Sequence, residues 1–168
     1  MRTKKEYLMK IYNTDTKRWI ILKWLNELSP EILSENTKLQ KAVFFYEMFQ
    51  MLDGKDYSLK YLKAYKNGPI FSDLYGDLRY NNDFQNYIRS AQWDIQSKNI
   101  ELNESNLRKA LFIVKTATAK EVSAITHKLD LWSNQYKDSY NKTPITESNI
   151  TEKDKQLLSI IKKSTPEF

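Results

Sequence analysis

The chain has 168 residues, no cysteine, one histidine and a net charge of +6. A hydrophobic share of 40% over this length supports a real core without covalent staples, and the missing cysteines exclude disulfides, thiolate metal sites and a cysteine nucleophile. A pI of about 9.3 favours acidic partners, nucleic acid or protein, although like charges never cluster into a basic arm.

With 3 Gly and 4 Pro, the elements should be long, rarely broken and mostly helical. The charged start, Met1-Arg2-Thr3-Lys4-Lys5-Glu6, shows no signal peptide. Helical periodicity begins at about Lys17 and runs to Leu28, with Ile21, Leu22, Leu25 and Leu28 on one stripe. Its apolar part, Trp19 to Leu25, is broken by Lys23 and falls far short of the about 20 residues of a membrane span. A cytoplasmic chain without a membrane partner is therefore expected. Ser29-Pro30 reads as a cap and first residue of a short helical turn.

The next helix is expected from Thr37 to Leu52. Leu39, Ala42, Val43, Tyr46, Phe49 and Leu52 share a face, and Phe44, Phe45 and Met48 fill its flanks. A helix apolar nearly all round after Lys41 should be the most buried one. Tyr57 to Phe71 alternates and is aromatic, which predicts an extended piece or short strand, with Asn67-Gly68-Pro69 as a tight turn. Ser72 then opens a helix to about Arg79, with Leu74, Tyr75 and Leu78. Asn81 to Asn103 is polar and irregular by pattern.

Asn103 caps a helix carrying Leu107, Ala110, Leu111 and Val114. Thr118-Ala119-Lys120-Glu121 predicts a capping box, opening a helix with Val122, Ile125 and Leu129 inward. After Trp132 the chain is loop-like to Pro144. Thr151 caps a last helix with Leu157, Leu158 and Ile161 on its apolar side.

Two segments resemble the Panacea domain family. The first is Lys38-Leu39-Gln40-Lys41-Ala42-Val43-Phe44-Phe45, followed by Tyr65-Lys66-Asn67-Gly68-Pro69-Ile70-Phe71 and the pair Leu74-Tyr75. The family has a similar helix starting Lys-Leu-x-Lys, then an aromatic, a turn, Gly-Pro-Val/Ile, and a helix with Leu-Tyr. The second is Ala119 to His127, then Leu131-Trp132, similar to a small-x-x-Leu-Ser-x-x-Thr-His run followed by Pro-Trp. Pro144-Ile145-Thr146 matches the extended piece beyond it. Val122 and Leu131 depart from the family's Leu and Pro.

The resemblance implies a mostly α fold: one compact domain over residues 1–168, with its core at about 17–163. About six to seven helices are expected, with at most a small β element around residues 57–70. Family members are antitoxins encoded beside a small toxin, with phage-associated GepA-like members. They neutralise the toxin by direct binding or, in the SocA-like branch, deliver it to a ClpXP-type protease. The expected partners are a cognate toxin, and such a protease or another host protein. No cofactor, metal or catalytic residue is implied.

Individual residues bear on the same question. His127 lies four residues after Ser123, within reach on a helix, but without an orienting acid the pair reads as packing. Gly68-Pro69 lacks the further glycines of a phosphate cradle and reads as a rigid turn aiming Phe71. Asp73 and Asp77 read as a solvated helix edge. With 11 Tyr and 4 Trp available, aromatics interleaved with Lys60, Lys63, Lys66, Arg79 and Arg89 suggest a binding face. Its expected contacts are Tyr61, Tyr65, Gly68, Pro69, Phe71, Tyr75, Arg79, His127 and Trp132. The alternative is a DNA-binding regulator of a phage or mobile element. Leu107 to Leu129 has the outline of a helix-turn-helix, and Lys120 and Lys128 would touch DNA.

Overall fold

A computed structural model of the chain describes residues 12–90 and 102–168. These are mostly helical, with eight α-helices, two 3-10 turns and one three-stranded antiparallel sheet among the described residues. The mostly α expectation with a small β element therefore holds. No helix among them is long and apolar enough to cross a membrane. The described residues gather in two compact units that interleave along the chain. Residues 12–36, 73–90 and 102 form one, and 37–72 with 103–168 form the other.

The first unit contains α1 (Thr16–Leu28), a 3-10 turn (Pro30–Ser34), α3 (Ser72–Tyr80) and α4 (Phe84–Ser90). Between them in sequence lies α2 (Asn36–Leu52), which belongs to the other unit except at its first residue. Asp15 caps α1 by accepting the Lys17 N–H, and Pro30 starts the 3-10 turn. Helix α1 packs on α4 and on that turn, with Leu22, Leu25, Ile32, Leu33, Phe84 and Ile88 buried. The rings of Tyr12 and Phe84 meet edge to face at 5.1 Å.

Asp73 and Asp77 correct the sequence expectation: they are buried, not solvated, at 6% and 0% exposure. Their four-residue spacing does put both on one face. That face meets the chain entering α1, whose amides need acceptors. Asp77 accepts the N–H groups of Asn13 and Thr14 at 3.0 and 2.7 Å and the Asn81 side-chain amide at 2.8 Å. Asp73 accepts the Asp15 N–H at 3.1 Å and pairs with the Arg18 guanidinium at 2.7 Å. Helix α4 lies in the stretch expected to be irregular; Phe84 and Ile88, four apart, are its buried side. The rest of that stretch, 91–101, lies outside the described residues.

The second unit is built around α2, buried at every position from Leu39 to Gln50, as its all-round apolar pattern requires. Strands β1 (Leu62–Tyr65) and β2 (Gly68–Phe71) form a hairpin, and β3 (Thr143–Pro144) pairs with the other edge of β1. Then follow α5 (Glu104–Thr116), α6 (Ala119–His127), α7 (Asp130–Ser133) and α8 (Glu152–Ser164). Polar side chains of α2 hold neighbouring backbone. Gln40 bonds both the N–H and the C=O of Phe71, at 3.0 and 3.1 Å, and Glu47 accepts the Ser58 N–H at 2.5 Å.

Caps follow the sequence. Asn103 and Thr151 cap α5 and α8, the latter with a reciprocal bond from Asp154. Thr118 caps α6 by accepting the Glu121 N–H at 3.1 Å, but the Glu121 carboxylate takes the Thr118 hydroxyl instead of closing a box on its backbone N–H. The inward face of α6 also departs from expectation: Val122, Ser123 and Thr126 are buried, while Ile125 is only half-buried. Asp154 reaches from α8 to the start of α7, accepting the Asp130 and Leu131 N–H groups at 2.6 and 2.9 Å.

The tightest approach in this unit is at the hairpin turn. Gly68 has φ +119°, and a Cβ there would stand 2.5 Å from Thr126 Oγ1 and 3.0 Å from Lys41 Cε. Gly54 also has a positive φ, +65°, but a Cβ there meets nothing within 4 Å. The two glycines separate backbone strain from crowding. Gly68→Ala should lose about 3 kcal/mol, the sum of strain and overpacking, and Gly54→Ala about 1 kcal/mol from strain alone. Urea unfolding of both variants checks this; equal losses would remove the steric account.

Candidate functional site

The site belongs to the second unit and grows from the C-terminal end of α6. His127 is its last helical residue, and the chain turns at Lys128 and Leu129 into the short α7. That turn lays Trp132 flat on His127, with ring centroids 3.9 Å apart and planes 14° from parallel. Tyr136 stacks on the other face of Trp132 at 4.8 Å and 13°. The Trp132 indole N–H donates to the Tyr65 carbonyl at 2.7 Å, which fixes the stack to β1. Lys142 Nζ sits over the Tyr65 ring, 4.9 Å from its centroid. All four rings are half-buried.

Beside the stack opens a pocket of about 390 Å³ lined by Thr37, Asn67, Ala119, Lys120, Ser123, Ala124 and His127. His127 and Ser123 therefore do share one wall. They are not a catalytic pair by geometry: His127 Nε2 is buried without a hydrogen-bond partner, so it does not hold the Ser123 hydroxyl. The other side of the ring faces the Lys66 backbone carbonyl. Burial and the nearby charge of Lys41 hold the imidazole below its ordinary pKa, with the Lys66 carbonyl opposing them.

Beneath the turn lies Lys41, which the sequence pattern marked only as the last charge before an apolar run. Its side chain is fully buried, and Nζ donates to the Pro69 carbonyl at 3.0 Å. Burial brings its pKa from 10.5 down to about 7.

The expected contact residues divide. His127, Trp132 and Tyr65 come together in the stack, with Lys120 on the pocket wall. Tyr61 is 47% exposed with φ +67°, and its carbonyl accepts both the N–H and the hydroxyl of Ser72. Gly68, Pro69 and Phe71 are buried. This corrects their expected role: they hold the face from below and offer a partner no side-chain surface. Tyr75 and Arg79 lie in the first unit, with the guanidinium 5.9 Å from the Tyr75 ring. Lys128 is exposed. Sequence reading missed Tyr136, Lys142 and Asn67 as parts of the site. The i, i+4 spacing of Trp132 and Tyr136 was an available signal.

Lys41 gives a measurable signature. Above pH 7 the folded protein sheds a proton that the unfolded chain keeps until near 10.5, so unfolding takes up a proton and stability rises with pH in this window. From pH 7 to 9 the stability of the wild type relative to Lys41→Met should grow by about 2 kcal/mol. Urea melts at both pH values measure it, and a constant difference would mean that the buried amine stays charged.

In comparisons with protein-family models, with curated proteins and with solved structures, nothing matches the chain.

Proposed function

We propose that this chain is an antitoxin-like, non-enzymatic binding protein that neutralises a cognate toxin by covering it, with the face around Trp132 as the contact. The observation that carries the reading is the stack of His127, Trp132 and Tyr136, half-exposed yet pinned through the Tyr65 carbonyl. Rigid aromatics bury large area with little entropy left to lose, which makes them the usual anchors of protein interfaces. Lys66 and Lys120 are exposed at its margin, Lys142 lies across Tyr65, and the net charge is +6, so the matching surface is acidic. The resemblance to the Panacea family supports a toxin as the partner, with transfer to a ClpXP-type protease as one route to its removal. The unbonded His127 and Ser123 support binding over turnover.

The test is co-expression with the product of the neighbouring reading frame, followed by affinity measurement on the purified pair. Trp132→Ala should weaken the complex by about 30-fold or more, the cost of losing an aromatic anchor. Tyr136→Ala should act in the same direction while leaving the circular dichroism unchanged. Unaltered affinity in both variants moves the interface elsewhere.

A second reading, a DNA-binding regulator, has one favouring observation: α5 and α6 are joined by only Ala117 and Thr118, and Lys120, Ala124 and Lys128 are exposed on α6. A promoter fragment retarded by the protein, with affinity falling steeply in salt and lost in Lys120→Ala/Lys128→Ala, would favour it.

A further inference from the structure

We propose that the pocket beside His127 receives the carboxylate of an acidic side chain on the bound partner protein, held by His127 Nε2, Ser123 and Lys120. This rests on the partner-binding reading and specifies what the partner must present.

The wall of the pocket is one-sided in its chemistry. Thr37, Asn67, Lys120, Ser123 and His127 each carry a hydrogen-bond donor or become one on protonation, and none of the lining residues is acidic. They come from α2, the hairpin turn and α6, so the pocket is built by three separate elements. Ala119 and Ala124 supply the apolar remainder, which suits the methylene stem of a glutamate or aspartate. At about 390 Å³ it stands at the small end of ligand sites, which run from about 300 to 1,000 Å³. A single side chain with part of its backbone fills such a volume.

His127 Nε2 makes the strongest case for an anion. It is a buried polar atom with no hydrogen-bond partner, and such an atom carries a desolvation cost until something bonds it. With the other side of the ring facing the Lys66 carbonyl, Nε2 of the neutral imidazole is a bare lone pair. A carboxylate arriving there needs a proton between the two, and water supplies it to the ring. The groups facing the imidazole are Lys41 from α2, the Lys66 carbonyl from the hairpin turn, the Trp132 ring from α7 and Lys120 from its own helix. The cations among them disfavour imidazolium in the empty pocket. A carboxylate between them and the ring reverses that balance.

The chain has one histidine, so its imidazole resonances identify themselves in a proton–carbon correlation spectrum. The full-length protein is titrated with pH in chloride, then at equal ionic strength with N-acetylglutamate amide, N-acetylglutamine amide or dimethyl phosphate. The blocked glutamate should raise the pKa of His127 by about half a unit or more, the glutamine counterpart should leave it in place, and Lys120→Ala and Ser123→Ala should each shrink the rise. Equal effects of glutamate and glutamine, or a rise that ignores both substitutions, overturn the proposal. A larger effect of dimethyl phosphate also overturns it and turns the pocket towards nucleic acid. The probe requires no partner. A glutamate-specific rise beside a toxin complex indifferent to Trp132→Ala keeps the pocket and removes the toxin face. No rise beside a Trp132-dependent complex does the reverse.

Discussion

Helix α2, the β-hairpin and α6 meet at a point where no side chain fits. Gly68 lies between the Lys41 stem and the Thr126 hydroxyl, close enough that a methyl group would stand 2.5 Å from Thr126 Oγ1. That contact dictates much of what surrounds it. The Lys41 amine, shut away from water, finds the Pro69 carbonyl as its acceptor. Thr126 turns inward and returns its hydroxyl to the Ser123 carbonyl at 2.8 Å. With Thr126 inside, the next residue, His127, is left at the margin, where Trp132 covers one face of its ring. The site is thus a consequence of how closely a glycine lets two helices approach a strand.

Both units use one device to fasten chain segments distant in sequence: a carboxylate that accepts backbone N–H groups. Asp77 does so for Asn13 and Thr14, Glu47 for Ser58, and Asp154 for Asp130 and Leu131. In the Asp154 case the acceptor also serves the start of its own helix, through Thr151. Charge-assisted bonds of this kind are stronger than neutral ones, and they satisfy amides that no helix or strand would otherwise pair. Short elements such as α7, four residues long, are held by such fastening more than by their own helical bonds.

The legible part of the fold is the part governed by local chemistry. Caps at Asn103, Thr118 and Thr151 depend on residues three apart, and the extent of α2 on an unbroken apolar run; both are written in consecutive letters. The burial of Asp73 and Asp77 is not, because it depends on amides at Asn13, Thr14 and Asp15 that only the fold brings near. The same holds for α6. Hydrophobicity argued for Ile125 inward, but the Thr126 position faces Gly68, where a small polar side chain fits and bonds its own helix. Of the site, His127, Trp132 and Tyr65 stood out as residues. Their stacking did not, since it arises from the turn at Lys128 and Leu129, and Lys41 was hidden by the convention that lysine means surface.

The interleaving of the two units bears on how the chain is made. Helix α2 and the hairpin leave the ribosome early, yet their partners arrive much later: Tyr65 and Trp132 are 67 residues apart, and Asp53 and Lys162 are 109 apart. Meanwhile the complementary segment of the first unit, beginning at Asp73, emerges and meets residues already synthesised. The first unit is therefore the one able to organise during translation, while the most apolar helix of the protein waits uncovered for α5 and α6. A nascent chain in that condition invites chaperone attention, and its exposure ends only when the last third of the polypeptide has been released.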